Sequence, residues 1–240
     1  MKNLFLFFTF ITTFAFAQKK EGTVYFQQKL NLHKNLGKEQ ESFKAMIPEF
    51  KTSDFQLAFT SDVSMYKEVE KEDEEGESGG GSRMNFRRGK AQIYYDLKNK
   101  KRIEVRDLME KKYRIEGDMK TTAWKLTDET KMIQKLPCMK ATFEDTTGRK
   151  RSIEAWFTTA IPYSIGPESF GGLPGMILEI SINDGEMTYV VQKIDFATPK
   201  SEDLEAPKGG TPTSEADFRK AQTAMMKSFG GRRTEMRTKN

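Results

Sequence analysis

Alternation of apolar and polar residues with a period of two dominates the chain from residue 22 onward. Between Thr23 and Leu32, Val24, Phe26, Leu30 and Leu32 share one face and polar residues mostly occupy the other, which predicts a first strand with one wet side. Phe55, Leu57 and Phe59 alternate, as do Val63 and Met65, and Thr60-Ser61-Asp62 between them predicts a hairpin. Further short runs follow at 91–97, 102–106, 112–115, 123–126, 132–134, 138–143 and 152–157. Asn99, Gly117, Asp118 and Thr146-Thr147-Gly148 stand in the gaps, and regular short strands with short connections indicate an antiparallel meander. Residues 176–182 and 186–196 are the clearest pair, because Asn183-Asp184-Gly185 separates two β-rich runs.

Two helices are expected at the ends of this series. Phe43, Met46 and Ile47 have helix-compatible spacing in the stretch from Lys38 to Pro48, which predicts a short amphipathic helix near the N-terminus. At the other end Ser214 is placed to cap a helix. Its apolar stripe would be Phe218, Ala221, Met225 and Phe229, and it would stop at Gly230-Gly231. The acidic, glycine-rich stretch 68–83 and the basic tail 230–240 lack periodicity and predict mobile segments. The expected fold is therefore mainly β: a curved antiparallel meander sheet, an open or partly closed barrel whose concave side is covered by one of the helices.

Phe170-Gly171-Gly172-Leu173-Pro174-Gly175-Met176-Ile177 forms a corner leading into the strand at 176–182. Glycine tolerates positive φ and Pro174 fixes its own, so the chain must bend here, with Gly175 where a type II turn wants glycine. Two readings stand side by side: a turn that lets backbones pack closely, or a loop whose bare backbone meets a ligand or partner. The run Gly172 to Ile177, preceded by Ile161-Pro162 and Gly166-Pro167-Glu168-Ser169-Phe170, resembles the signature of the GLPGLI family of exported bacterial proteins. Trp124-Lys125-Leu126-Thr127, Cys138-Met139-Lys140-Ala141 and Ala155-Trp156-Phe157 extend the likeness over the stretch from about Trp124 to Phe196, and Met176 stands where the family name has leucine. The resemblance brings no catalytic residues. It leaves Gly172, Leu173, Pro174, Gly175, Met176 and Ile177 as the candidate binding corner.

Residues 1–17 have the form of an export signal: Lys2, an apolar core, and Ala15-Phe16-Ala17 as a small-x-small cleavage site. The apolar core falls short of the roughly 20 positions a spanning helix needs, and no later segment approaches one. The expectation is a soluble, periplasmic or outer-envelope protein with no anchor after signal removal and a single domain over 18–229. A net charge of +5 from 40 basic and 35 acidic residues lacks the concentrated basic face of a nucleic-acid binder. Cys138 is the sole cysteine and His33 the sole histidine, so a Cys/His zinc site is excluded by count. Cys138, flanked by Leu136-Pro137 and Met139, reads as a small buried hydrophobe. The 13 methionines are spaced for packing more than for copper, and no cofactor is called for. The functional expectation is a non-catalytic binding or carrier module holding an apolar ligand in the hollow of the sheet. The alternative is a structural or assembly partner of an outer-membrane protein complex.

Overall fold

A computed structural model describes residues 20–69, 91–108, 110–146 and 150–225. The signal at 1–17, nearly all of the acidic stretch 68–83, Thr147-Gly148 of the predicted turn, Phe229 and the tail 230–240 lie outside the described residues.

Twelve strands form one sheet: β1 (Gly22–Asn31), β2 (Phe50–Phe59), β3 (Val63–Glu68), β4 (Ala91–Asp96), β5 (Lys101–Leu108), β6 (Lys111–Asp118), β7 (Lys125–Ile133), β8 (Leu136–Asp145), β9 (Arg151–Thr158), β10 (Met176–Ile182), β11 (Met187–Asp195) and β12 (Thr211–Thr213). Their order is β12-β6-β5-β4-β3-β2-β1-β11-β10-β9-β8-β7, antiparallel except where β12 lies parallel to β6. Two meanders, β1 to β6 and β7 to β11, are thus joined through the β1–β11 pair.

The β6–β7 connection dictates the shape. Residues 119–124 join strands ten places apart in the sheet order. Laid flat at about 4.8 Å per strand, that separation would be about 48 Å. Seven Cα steps reach about 25 Å at most. The sheet must therefore curl until its two margins approach, giving a barrel left open between β7 and the β12–β6 margin.

Side chains crossing the concave face confirm the curl, since Glu168 touches both Tyr189 on β11 and Arg106 on β5, five strands apart. The concave face carries the core. Val24, Phe26, Leu57, Phe59, Tyr66, Ile93 and Leu178 belong to one buried cluster, and Ala155, Phe157, Leu173, Ile177, Ile180 and Tyr189 to a second. A bulge at Leu178 lets consecutive residues serve both, Ile177 in one cluster and Leu178 in the other.

After β11 the chain crosses the convex face, where Asp203 in a 3-10 turn (Ser201–Leu204) accepts hydrogen bonds from Gln56 and Lys67, each at 2.8 Å. It then adds β12 to the margin and enters α1 (residues 215–225), with the Asp217 N–H donating to Ser214 Oγ at 3.0 Å as a cap.

Several expectations need correcting. Lys38–Met46 is a 3-10 segment, not an amphipathic α-helix; Glu41, Ser42, Ala45 and Met46 are exposed, and a segment this short is marginal as an α-helix on its own. The runs 123–126 and 132–134 are ends of one strand, β7, whose polar middle shows no alternation because it lies at a margin with both faces wet. β12 was not expected. The concave side is covered chiefly by the connection 159–175, with α1 seated at the margin.

Candidate binding surfaces of the curled sheet

The corner sits inside the fold. Leu173, Met176 and Ile177 are buried, while Gly172 and Pro174 reach the surface. Ser164 Oγ donates to the Leu173 carbonyl at 2.6 Å, and Trp124 Nε1 donates to the Gly171 carbonyl at 2.8 Å. Met176 N–H and Ile177 N–H return to the carbonyls of Ile161 and Ile165 at 3.0 and 2.9 Å. Gly172 has φ +91°, a conformation that favours glycine. Gly175 is not at positive φ, contrary to the type II turn expected. Space selects it instead, since a Cβ there would overlap the Thr158 carbonyl oxygen.

Buried polar contacts cross the interior from this connection. Alternation on β5 places Arg102, Glu104 and Arg106 on the concave face, where a strand reading from sequence alone found only charge. Gln28 donates to Tyr189 OH at 2.5 Å and Tyr189 OH donates to Glu168 at 2.9 Å. Glu168 faces Arg106 at 3.6 Å, Arg106 Nε donates to Glu104, and Glu104 accepts from Arg102 Nη1 at 2.6 Å. Arg102 Nη2 then reaches Glu215 on α1 at 3.1 Å, which also receives Lys120 at 2.6 Å and Arg219 at 2.8 Å. The series links the corner's loop to the C-terminal helix. Its neighbours feel it: burial, reinforced by the Glu168 charge, pushes the Tyr66 hydroxyl well above its ordinary range. Glu215 is partly buried, which works to raise its pKa, but the Lys120 and Arg219 hydrogen bonds and the Arg102 charge hold it down at about 2.

The remaining candidates stay apart. Cys138 is 1 % exposed with its thiol pushed up to about 11 by burial, and His33 Nε2 lies 3.1 Å from the Ile47 carbonyl oxygen. Trp156 lies under Lys131 Nζ, 4.3 Å from the ring centroid, and Trp124 packs on Phe143, both in packing roles. Open depressions of about 380 Å³ beside Ala216 and Arg219, and about 520 Å³ beside Lys125 and Phe143, are not lined by the interior residues.

Met46 and Phe50 are exposed singly, and the free margin carries an exposed apolar row. Leu126 and Met132 on β7 are 54 % and 65 % exposed, and Met139 on β8 is 37 % exposed. Pairing sets them on one face, because Leu126 opposes Ala141, Thr130 opposes Met139 and Met132 opposes Pro137. Among the described residues β7 has no strand beyond it, and it bulges between Leu126 and Thr130.

These features define the chain as a curled, open β-sheet module with a self-filled interior. A family model described as a protein of unknown function (Porph_ging) matches residues 142–179, the segment that holds the corner and the start of β10. No curated protein matches the sequence. In fold, the chain is similar to PNGF-II in its C2 crystal form (TM-score 0.57, 12 % identity, 84 % of this chain and 32 % of that one). The P21 form of PNGF-II is similar to the same degree (TM-score 0.55, 12 % identity, 84 % and 33 %). The chain thus spans about a third of the length of PNGF-II, and at this identity the likeness is one of fold.

Proposed function

We propose that this chain is an exported, non-catalytic binding module of the cell envelope, of the GLPGLI kind, that works by docking an envelope partner along the free edge of its sheet. The observation carrying this reading is the pairing of a filled concave face with an open margin. Loop 159–175 and the Glu168-to-Glu215 series occupy the hollow in which an apolar ligand would be carried, whereas β7 offers unpaired backbone beside Leu126, Met132 and Met139. An added strand would gain ladder hydrogen bonds from the edge and side-chain contacts from that apolar row. The bulge and the charges Lys125, Asp128, Glu129 and Lys131 suppress indiscriminate pairing, so the partner is an extended segment shaped to this edge, apolar at alternate positions.

Among the described residues no helix is long and apolar enough to cross a membrane. The test is site-specific photocrosslinking in cells from positions 126 and 132, with Lys193 on the far side of the sheet as control. One defined adduct from the β7 sites, competed away by untagged wild-type protein but not by a normally melting Leu126→Asp, Met132→Asp double variant, is the expected result. Equal adducts from position 193, or equal competition by the double variant, refute edge docking.

A further inference from the structure

The margin opposite β7 is already occupied, and weakly. β12 pairs with only Tyr113, Arg114 and Ile115, although β6 runs for eight residues. Within 211–220 the buried side chain is Phe218, set edge-on against Tyr113 with ring centroids 5.5 Å apart. Gly209 and Gly210 precede it at φ +84° and +86°, two adjacent backbone joints, and Gly209 has open space around it. The specific contact is electrostatic: Glu215 enters between Arg102 and Lys120, and Arg102, 3 % exposed, keeps its Nε without a hydrogen-bond partner.

We propose that residues 210–218 are an internal occupant of a peptide-docking groove on β6, displaced by a segment of another protein that runs as a short strand and then turns into a helix. That segment adds parallel to β6, places a carboxylate between Arg102 and Lys120, and sets an aromatic residue on Tyr113. The strap itself shows the chemistry the groove accepts: a three-residue strand, then Glu215 two positions on, then Phe218 three further. A competitor whose strand began earlier and paired also with Lys111 and Lys112 would gain ladder bonds that the strap leaves unmade. The strap of a second copy would gain nothing over the resident one, which is why a foreign segment is favoured over exchange between copies. This groove and the β7 edge are separate surfaces, so the failure of one reading leaves the other standing.

The test uses the full chain and a fluorescent synthetic peptide of its own residues 209–225. In the wild-type protein the tethered strap competes at an effective concentration of the order of millimolar. Loosening it by Glu215→Gln with Phe218→Ala should tighten peptide binding at least tenfold. A Glu215→Gln peptide should lose that gain, and bound peptide should restore slowed amide exchange over 111–118. Equal binding to both proteins, equal binding of the two peptides, or a strap-exchanged dimer formed in preference to peptide capture would overturn the proposal. Should the double variant not fold, Glu215→Gln alone carries the same comparison, because it leaves Phe218 on Tyr113.

Discussion

Neutralising Glu104 by Glu104→Gln is the sharpest probe of the buried charge series. Its side chain is 4 % exposed and lies between Arg102, 3 % exposed, and Arg106, 27 % exposed. Removing the carboxylate's charge leaves two guanidinium groups close together in a poorly hydrated interior, and breaking a buried pair in this way costs about 3–5 kcal/mol. Against a typical total stability of about 5–15 kcal/mol the loss is large. For a domain of about 150–250 residues each kcal/mol moves the melting point by about 2–4 °C, so a fall of about 6–20 °C is expected. Urea titration should show a lower midpoint with an unchanged slope. The companion variant Arg102→Met, Glu104→Leu, Arg106→Met removes all three charges and should recover most of the loss, since apolar replacement of a buried ion group is often neutral or stabilising. Glu168 keeps Tyr189 and Glu215 keeps Lys120 in that variant. A Glu104→Gln protein within about 1 kcal/mol of wild type, well short of the cost of breaking a buried pair, or a triple variant less stable than the single one, would refute the reasoning.

Other expectations follow from single contacts. Gly175→Ala should destabilise by about 1–3 kcal/mol or more, because the added methyl meets the Thr158 backbone carbonyl, which has no side-chain freedom with which to yield. Gly209→Ala, at positive φ in open space, should cost about 1 kcal/mol, and chemical denaturation distinguishes the two. The Cys138 thiol, raised to about 11 by burial, should resist a disulfide reagent at about pH 8 in the native protein and react at once in denaturant. Glu215 has a folded pKa of about 2 against an ordinary value of 4.5, so its contribution is present above about pH 4.5 and is lost as pH falls toward 2. Amide exchange over 111–118 and 211–225 should therefore accelerate in that window, relative to exchange in β1, and do so less in Glu215→Gln. The groups facing Glu215 are Arg102, Lys120 and Arg219.

The meander was legible because period-two alternation survives wherever one face of a strand is buried. Val24 and Phe26, Phe55 to Phe59, and Ile93 with Tyr95 mark their strands unaided. Alternation failed where burial did. Lys125 to Ile133 is wet on both faces at the margin, so its middle reads as a loop, and Thr211–Thr213 is too short to carry a period. In β5 both faces carry buried residues, Val105 on one and Arg102 with Glu104 on the other, and nothing in a single sequence distinguishes a charge paired inside from one solvated outside.

Legibility of the candidate site divides in the same way. The glycine and proline letters of the corner announced a bend, but which constraint each glycine answers depends on atoms distant in sequence: Thr158 opposes Gly175, and Thr122 lies against Gly172. The corner's consequence is longer in range. By folding 159–175 back over the concave face it delivers Glu168 to Arg106, and the series then runs through Glu104 and Arg102 to Glu215, where the C-terminal helix begins. A short β6–β7 connection forces the sheet to curl, curling brings β5 and β11 within reach of one glutamate, and that glutamate helps close the interior. What the fold then leaves accessible is its margin, and the two sides differ: β7 is bare with an apolar row, while β6 wears a three-residue strand held by one carboxylate. Docking at these margins, as proposed above, would use the place where the barrel fails to close.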